Sequence, residues 1–180
     1  MEFSFARTSD LDELFALYRA AIGHMDARGI FQWDEIYPSR DVLRADLLQG
    51  ELQVGCMEGR ILVAFTLSEE CDKEYALGNW RFPNERHCVL HRLCVHPDAQ
   101  GRGVARETML YIEQSLLRRG YQVLRLDAFS LNPTALRLYE SLGYERAGEV
   151  HFRKGLFYFY EKKLQEALDP ASGGNTDGTL

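Results

Sequence analysis

One stretch of the chain, residues 89–129, constrains the fold more than any other. It reads as an apolar strand at Val89–Val95, a helix at Val104–Arg119 that ends at Gly120, and a second apolar strand at Val123–Phe129. A strand that is apolar on both sides lies in the interior of a sheet. Two strands joined by one helix form a right-handed parallel crossover. The sequence therefore predicts a parallel βαβ core.

The elements before and after this core complete the order βααββ–βαβαββ. An E-G turn at Glu58-Gly59 joins two strands of alternating hydrophobicity, which predicts an antiparallel hairpin. The predicted fold class is α/β (α+β), with a mixed, mostly antiparallel central sheet, a parallel βαβ core and helices on both faces. The remaining strands are expected at 3–5, 52–56, 61–67, 144–151 and 155–163, and the remaining helices after Thr8 or Ser9, from Ser39 to Leu48, and from Asn132 to Gly143.

Length and composition predict one soluble domain. The 180 residues fit a single domain at 1–166, followed by a small, polar tail at 167–180 that we expect to be disordered. A net charge of −6 argues against a nucleic-acid partner, which would need a basic stripe. No run approaches the ~18 apolar residues that span a bilayer, and no secretory signal opens the chain. We therefore expect a cytoplasmic protein with no membrane partner.

A glycine-rich loop, Q-G-R-G-V-A at 100–105, stands where the first core strand gives way to the helix. Gly101 and Gly103 let consecutive backbone N–H groups turn toward one point, in front of the positive end of a helix. Such a cradle suits a phosphate or pyrophosphate. A Walker loop is excluded because no Lys-Ser/Thr pair follows, and a dinucleotide loop fits poorly because Arg106 replaces its third glycine. The acyl-coenzyme A pattern [QR]-x-x-G-x-[GA] matches in full.

A second block, N-P-T-A-L-R-L-Y-E-S-L-G-Y at 132–144, follows one crossover later. With both blocks in this order and spacing, the chain resembles the GNAT superfamily of acyl-CoA-dependent N-acyltransferases. The resemblance is close over residues 89–147, and the order of elements extends it over 1–164. It implies that the two central strands splay apart, that the pantetheine arm of acetyl-CoA lies between them, and that the pyrophosphate sits on the loop amides.

The resemblance also assigns a set of cofactor-binding positions. Asn132 matches the family asparagine that bonds the cofactor arm, although Asn before Pro is equally a good helix N-cap. Arg102 and Arg106 either reach the CoA phosphates or are solvated. The full set is Leu93, Cys94, Val95, Gln100, Gly101, Arg102, Gly103, Val104, Ala105, Arg106, Asn132 and Ala135.

Acyl transfer to an amine needs a proton donor for the leaving thiolate and a proton acceptor for the amine. Tyr139 resembles the family tyrosine that protonates the CoA sulfur, and it could also be a core tyrosine that packs on the sheet. For the base, His91 on the strand before the loop competes with Glu69 and Glu70 at the end of the neighbouring strand. A satisfied core histidine is an equal alternative for His91. The base stays unresolved by sequence.

No metal is expected, although histidines and cysteines cluster at 87–96. The cluster contains no C-x₂-C pair, and strand alternation would place His91 and Cys94 on opposite faces of the sheet.

The acceptor site is expected between the first two helices. Phe31, Trp33 and Tyr37 are interleaved with Asp34 and Glu35 there, and aromatic walls with carboxylates suit an amine cation. The same aromatic residues could instead cap the core. The segment 70–87, with Trp80 and Phe82, is a second candidate wall or a contact in a homodimer.

The sequence thus predicts an N-acetyltransferase that moves an acetyl group from acetyl-CoA to a primary amine of a small molecule or peptide, by direct attack in a ternary complex. Two alternatives remain open at this point. One is a non-catalytic module that binds acyl-CoA in order to sense it. The other is an acetyltransferase that acts on protein N-termini or lysines.

Overall fold

A computed structural model describes residues 1–165, so the predicted tail at 167–180 lies outside the described residues. Within these residues, seven strands and four α-helices follow one another in the predicted order. They are β1 (Glu2–Phe5), α1 (Leu11–Asp26), α2 (Arg40–Leu48), β2 (Leu52–Met57), β3 (Arg60–Ser68), β4 (His87–Val95), α3 (Val104–Arg118), β5 (Val123–Phe129), α4 (Pro133–Ser141), β6 (Glu145–Phe152) and β7 (Gly155–Lys163).

The strands form one seven-stranded sheet in the order β1-β2-β3-β4-β5-β7-β6. The pair β4–β5 is parallel, and the other neighbouring pairs are antiparallel. The predicted mixed sheet with a parallel βαβ core is therefore confirmed. Short turns between β2 and β3 and between β6 and β7 account for the antiparallel hairpins on each side of that core.

The helices lie on both faces of the sheet, as predicted. On one face, α3 and α4 contribute Met109, Ile112 and Tyr139 to a core shared with Leu124 and Leu126 of β5. On the other face, α1 and α2 pack on β2, β3 and β4 through a second buried cluster, whose members include Leu14, Leu17, Tyr18, Leu43, Leu52, Val54, Ala64 and Cys94.

Two of the three predicted helix N-caps are confirmed. The Ser39 hydroxyl accepts a hydrogen bond from the amide of Val42, and the Asn132 side chain accepts one from the amide of Ala135. The prediction for α1 was wrong: a 3₁₀ turn occupies Thr8–Asp10, and α1 begins after Asp10. Asp10 accepts hydrogen bonds there from the Ser9 hydroxyl and the Arg7 amide, and these local bonds favour a turn over a first helical turn.

A bulge in β4 positions the candidate site. Arg92 has a φ of 53°, which is in the left-handed region. Cys94 lies opposite Ala64 of β3, and His91 lies opposite Thr66. Ala64 and Thr66 are two residues apart and share a face, so His91 and Cys94 share that face too. The prediction that they lie on opposite faces was wrong, because the extra residue shifts the alternation by one.

The same bulge separates β4 from β5. The parallel register runs from His87 opposite Val123 to Leu90 opposite Leu126, and within residues 1–165 no further pair joins the two strands. Both strands continue past this point, to Val95 and Phe129. A gap therefore opens between them, and it faces the glycine-rich loop.

Among the helices of residues 1–165, none combines the length and the apolar character that a membrane span requires.

Candidate active site

The first cavity lies beside the glycine-rich loop and has a volume of about 600 Å³. Its walls are the C-terminal half of α1, the end of β4, the loop itself and the first turn of α4. All the residues predicted to bind acetyl-CoA line this cavity, with the exception of Arg102. The Arg102 guanidinium lies instead 3.5 Å from the carbonyl oxygen of Asp98, on the exposed side of the loop.

The glycines leave room at the start of α3. Gly101 and Gly103 have φ values of 72° and 81°, and nothing lies within 4 Å of the position that a Cβ would take at either one. The N–H groups of the first turn of α3 have no partner within the helix, and its dipole is positive at this end. An anion such as a pyrophosphate therefore fits this end of the cavity.

Two polar side chains that line this cavity also form hydrogen bonds within the protein. The Gln100 amide donates to the carbonyl oxygen of Val95 at 3.1 Å, which ties the loop to the end of β4. The Asn132 amide donates to the Gln32 side chain at 3.0 Å, while its oxygen caps α4. The N-cap role of Asn132 is confirmed, and its side chain also lines the cavity.

The second cavity lies on the α1–α2 face of the sheet and has a volume of about 690 Å³. Trp33 and Tyr37 line it, as predicted for the acceptor site. Trp33 is also buried against Tyr18, with ring centroids 5.6 Å apart, so it caps the core as well. Phe31 lines neither cavity, and it is 57% exposed.

Most of the segment 70–87 turns away from this cavity. Trp80 stacks on Tyr75 and packs at a tilt against Phe159, and its ring lies 4.4 Å from the Arg125 guanidinium. Trp80 therefore packs against the sheet and does not form a wall. The part of the segment that lines the cavity is 70–72.

Four residues line both cavities, and they mark the place where the cavities meet: Gln32, Trp33, Leu93 and Tyr139. Leu93 stands on β4 just past the bulge, and Tyr139 reaches the gap from α4. A thioester carbonyl placed at this junction is accessible from the loop side and from the second cavity. The geometry suits a reaction between two bound substrates.

Tyr139 is 7% exposed and packs edge-on against Tyr144. Burial, and secondarily the nearby carboxylate of Asp127, hold the pKa of Tyr139 well above its usual range. Within residues 1–165, no side chain or backbone group bonds to its hydroxyl. The hydroxyl is therefore protonated at neutral pH and free to donate.

Asp127 is a site residue that the sequence did not predict. It is the single residue of β5 that is partly rather than fully buried, and it lines the second cavity. The Tyr75 hydroxyl donates to its carboxylate at 2.7 Å. Burial raises the pKa of Asp127 to about 6. The available signal was a lone acid inside a strand whose neighbours are apolar.

His91 also lines the second cavity. Its Nε2 lies 3.1 Å from the carbonyl oxygen of Glu70, which can only accept, so Nε2 carries the ring proton and Nδ1 keeps its lone pair. Burial, and then the Arg92 charge, lower the pKa of His91. The imidazole is therefore neutral at pH 7.

Glu69 lines neither cavity. Its carboxylate accepts hydrogen bonds from the Tyr121 hydroxyl at 2.7 Å and from Arg86 at 2.9 Å, and these bonds lower the pKa of Glu69. The structure thus places this predicted base on the outer surface, while Glu70, the next residue, faces the second cavity.

Paired charges surround the second cavity. Arg92 contacts Asp46 through Nη2 at 2.6 Å and Nε at 2.9 Å, and its Nη1 donates to the Tyr37 hydroxyl at 2.8 Å. At the turn between β6 and β7, Arg153 and Lys154 both contact the carboxylate of Asp34. Across residues 1–165, no group of three or more His, Cys, Asp or Glu side chains is placed to hold a metal ion.

Comparisons with known proteins agree with this geometry. The chain matches the model of the acetyltransferase (GNAT) family over residues 36–144. It is 28% identical to the L-amino acid N-acyltransferase MnaT of Escherichia coli, over 97% of this chain and all of that protein.

Solved structures of low sequence identity share the fold. A GNAT-family acetyltransferase from Streptococcus agalactiae has a TM-score of 0.79 at 23% identity, covering 92% of this chain and 96% of that one. YncA of Salmonella typhimurium, solved with acetyl-CoA, has a TM-score of 0.64 at 21% identity, covering 95% of this chain and 98% of that one.

Proposed function

This chain belongs to the acetyltransferase (GNAT) family, and we propose that it transfers an acetyl group from acetyl-CoA to a primary amine by direct attack in a ternary complex. One observation carries the proposal: the cavity beside the glycine-rich loop meets a second cavity of similar size at Tyr139 and Leu93. A module that only bound acyl-CoA would have no need of the second cavity.

The donor fits the first cavity. The open space at Gly101 and Gly103 and the amino end of α3 suit the pyrophosphate. The gap between β4 and β5 suits an extended arm, since the backbone groups of 91–95 lack partners on β5. When bound, acetyl-CoA supplies an acyl group activated as a thioester. The residues of this chain then position the acceptor and move protons.

We assign the role of base to Asp127. Its carboxylate and the Tyr139 side chain both line the second cavity, so the two groups face one reaction centre. Burial lowers the pKa of His91, which lines the same cavity, and makes its imidazole a weaker proton acceptor than an ordinary histidine. With a pKa of about 6, the Asp127 carboxylate is ionised at neutral pH. It attracts an ammonium group and accepts its proton.

The acceptor nitrogen loses two protons in the reaction. The acceptor nitrogen gives one proton to Asp127 before attack, and this proton passes to solvent. As the nitrogen–carbon bond forms, the carbon–sulfur bond breaks, and the sulfur takes the proton of the Tyr139 hydroxyl. The second proton lost by the nitrogen restores Tyr139, directly or through Asp127. A tyrosinate is disfavoured in this buried position, so Tyr139 is quickly protonated again.

The acceptor is a small-molecule or peptide amine. The cavity of about 690 Å³ is large enough for an amino acid or a short peptide end. The relative from E. coli, named as an L-amino acid N-acyltransferase, makes amino acids the first compounds to test.

The test measures two quantities on the purified protein. Calorimetry measures acetyl-CoA binding, and release of free thiol measures turnover with amino acids, amino-acid amides, alkylamines and peptides. We expect binding together with turnover of a subset of these amines. Binding without any turnover would identify a non-catalytic acyl-CoA-binding module, and absence of binding would exclude both functions.

A further inference from the structure

A single carboxylate at the rim of the second cavity is shared by two cations. The Nη1 and Nη2 atoms of Arg153 donate to Asp34 at 2.8 Å, one to each oxygen. Asp34 Oδ1 also accepts from the backbone amides of Ile36 and Tyr37, at 3.1 and 3.2 Å. Oδ1 is thereby saturated, and Oδ2 is shared by Arg153 and Lys154. The bidentate arginine by itself neutralises Asp34.

Lys154 is the cation left over. Its ammonium is 3.3 Å from Asp34, the longest of the five contacts to that carboxylate. Within residues 1–165, Asp34 is its one polar partner, so two of the three N–H donors on Nζ stay unused. The Lys154 side chain is 24% exposed and lines the second cavity. A partly buried ammonium without a counter-ion of its own favours an anionic ligand.

The opposite part of the cavity is negative. Glu70, Asp72 and Asp127 line it, and within residues 1–165 no Lys, Arg or His forms an ion pair with any of them. The cavity therefore has an acidic wall next to the reaction junction and a surplus positive charge at its far rim. A ligand that fits both carries a cation at one end and an anion at the other.

The register of the sheet gives the spacing between the two ends. Asp127 lies opposite Phe159 of β7, and Lys154 precedes Phe159 by five residues. Five extended residues span roughly 16 Å between Cα atoms. The flexible stem of Lys154 shortens this distance from one side. The remaining gap favours an amine and an anion that are several bonds apart.

We propose that Lys154 binds an anionic group of the acceptor, so that the acceptor is an amine with a carboxylate or phosphate at its far end. This proposal rests on the proposed function and names the class of its second substrate. The amine lies at Asp127 and Tyr139, and the anion lies at Lys154.

The experiment compares each acid with its neutral counterpart. Thiol release gives kcat/KM for 4-aminobutyrate, 6-aminohexanoate, L-alanine, their three amides and O-phosphoethanolamine. Wild type is compared with Lys154→Met, with Lys154→Arg, which keeps the charge, and with Lys163→Met. Lys163 is a surface lysine that pairs with Glu85 outside both cavities, so it controls for loss of a lysine.

We expect wild type to prefer 4-aminobutyrate and 6-aminohexanoate over their amides by about 10-fold or more, because a charge-assisted hydrogen bond stabilises by ~1.5 kcal/mol or more. L-alanine, whose carboxylate is too close to its amine to reach Lys154, should show no such preference over its amide. The ratio for the two longer acids falls to near one in Lys154→Met and is kept in Lys154→Arg and Lys163→Met. The phosphate compound distinguishes the two kinds of anion. A merely structural role for Lys154 would lower both rates together and leave the ratio unchanged.

Three results are distinguishable. An acid-to-amide ratio for the two longer acids that is the same in wild type and Lys154→Met overturns this inference alone. So does wild-type turnover of neutral amines with no preference for acids. Failure of the wild-type protein to turn over any amine overturns the proposed function, and the inference with it.

Discussion

The hydroxyl of Tyr75 donates a 2.7 Å hydrogen bond to the carboxylate of Asp127. Tyr75 stands in the 3₁₀ turn at Lys73–Leu77, and Asp127 stands on β5, 52 residues later. This bond fixes the carboxylate in a cavity wall where burial raises its pKa to about 6. Asp127 is therefore a proton acceptor that is ionised at neutral pH and neutral in mild acid.

The pH dependence of activity follows from this value. Proton acceptance needs the ionised carboxylate, so kcat/KM of wild type should fall as the pH drops through about 6. In Asp127→Asn, kcat/KM at pH 7.5 should fall by at least ~10-fold and this acidic limb should disappear. The measurement is thiol release between pH 5 and 9. Asp41→Asn, an identical change on the exposed side of α2, should keep the wild-type profile; an unchanged limb in Asp127→Asn would exclude Asp127 as the base.

The same residue makes a prediction about stability. The folded-state pKa of Asp127 lies above the ordinary value of 3.8, so the folded protein holds this proton more tightly than the unfolded chain. The free energy of unfolding therefore falls as the pH rises from about 4 through 6. Asp127→Asn should remove this cost and raise the free energy of unfolding at pH 7.5, by on the order of 2 kcal/mol. Urea unfolding at pH 5 and pH 7.5 measures the free energy of unfolding. A lower value for Asp127→Asn than for wild type at pH 7.5 would contradict the raised pKa of Asp127.

Tyr139→Phe tests the proton donor. Removal of the hydroxyl should lower kcat by ~10-fold or more and leave the dissociation constant of CoA within about 2-fold, because the ring still fills the core. Tyr144→Phe is the matched control: its ring contacts that of Tyr139, and its hydroxyl bonds to Glu113, away from both cavities. Equal rates in the Tyr139 variant and wild type would remove this residue from the proton transfers.

The glycine-rich loop offers a pair of matched substitutions. Gly103 and Gly143 both have a φ of 81° with open space at the Cβ position, so alanine should cost each a similar ~1 kcal/mol of stability. Gly103 lines the first cavity and Gly143 does not. Calorimetry should show CoA binding weakened by ~10-fold or more in Gly103→Ala alone, because its new methyl group fills the space for the phosphate. Equal affinity in both variants would place the pyrophosphate elsewhere.

Local sequence patterns were sufficient to predict the fold. The apolar strands around residues 104–118, the caps Ser39 and Asn132 and the glycine-rich loop each depend on neighbours within a few residues. The parallel crossover then follows from chain connectivity. These signals are local, so a single sequence carries them in full.

The parts of the site that the sequence did not predict depend on contacts between residues that are distant in sequence. The bulge at Arg92 is held by the Tyr18 hydroxyl, which donates to the Arg92 carbonyl oxygen at 2.7 Å, and by the ion pair with Asp46. Nothing within β4 itself, where no glycine or proline occurs, indicates a left-handed residue. The bulge reversed the expected face of Cys94, and the bond from Tyr75 that fixes Asp127 is equally remote.

One measurement tests the central claim, that donor and acceptor meet at Tyr139 in a single complex. Initial rates of thiol release are measured while acetyl-CoA and an active acceptor are varied together. The buried thiol of Cys94, whose pKa burial raises strongly, cannot serve as an acyl carrier, so double-reciprocal plots should intersect. Parallel lines, which indicate an acyl-enzyme, would contradict the account.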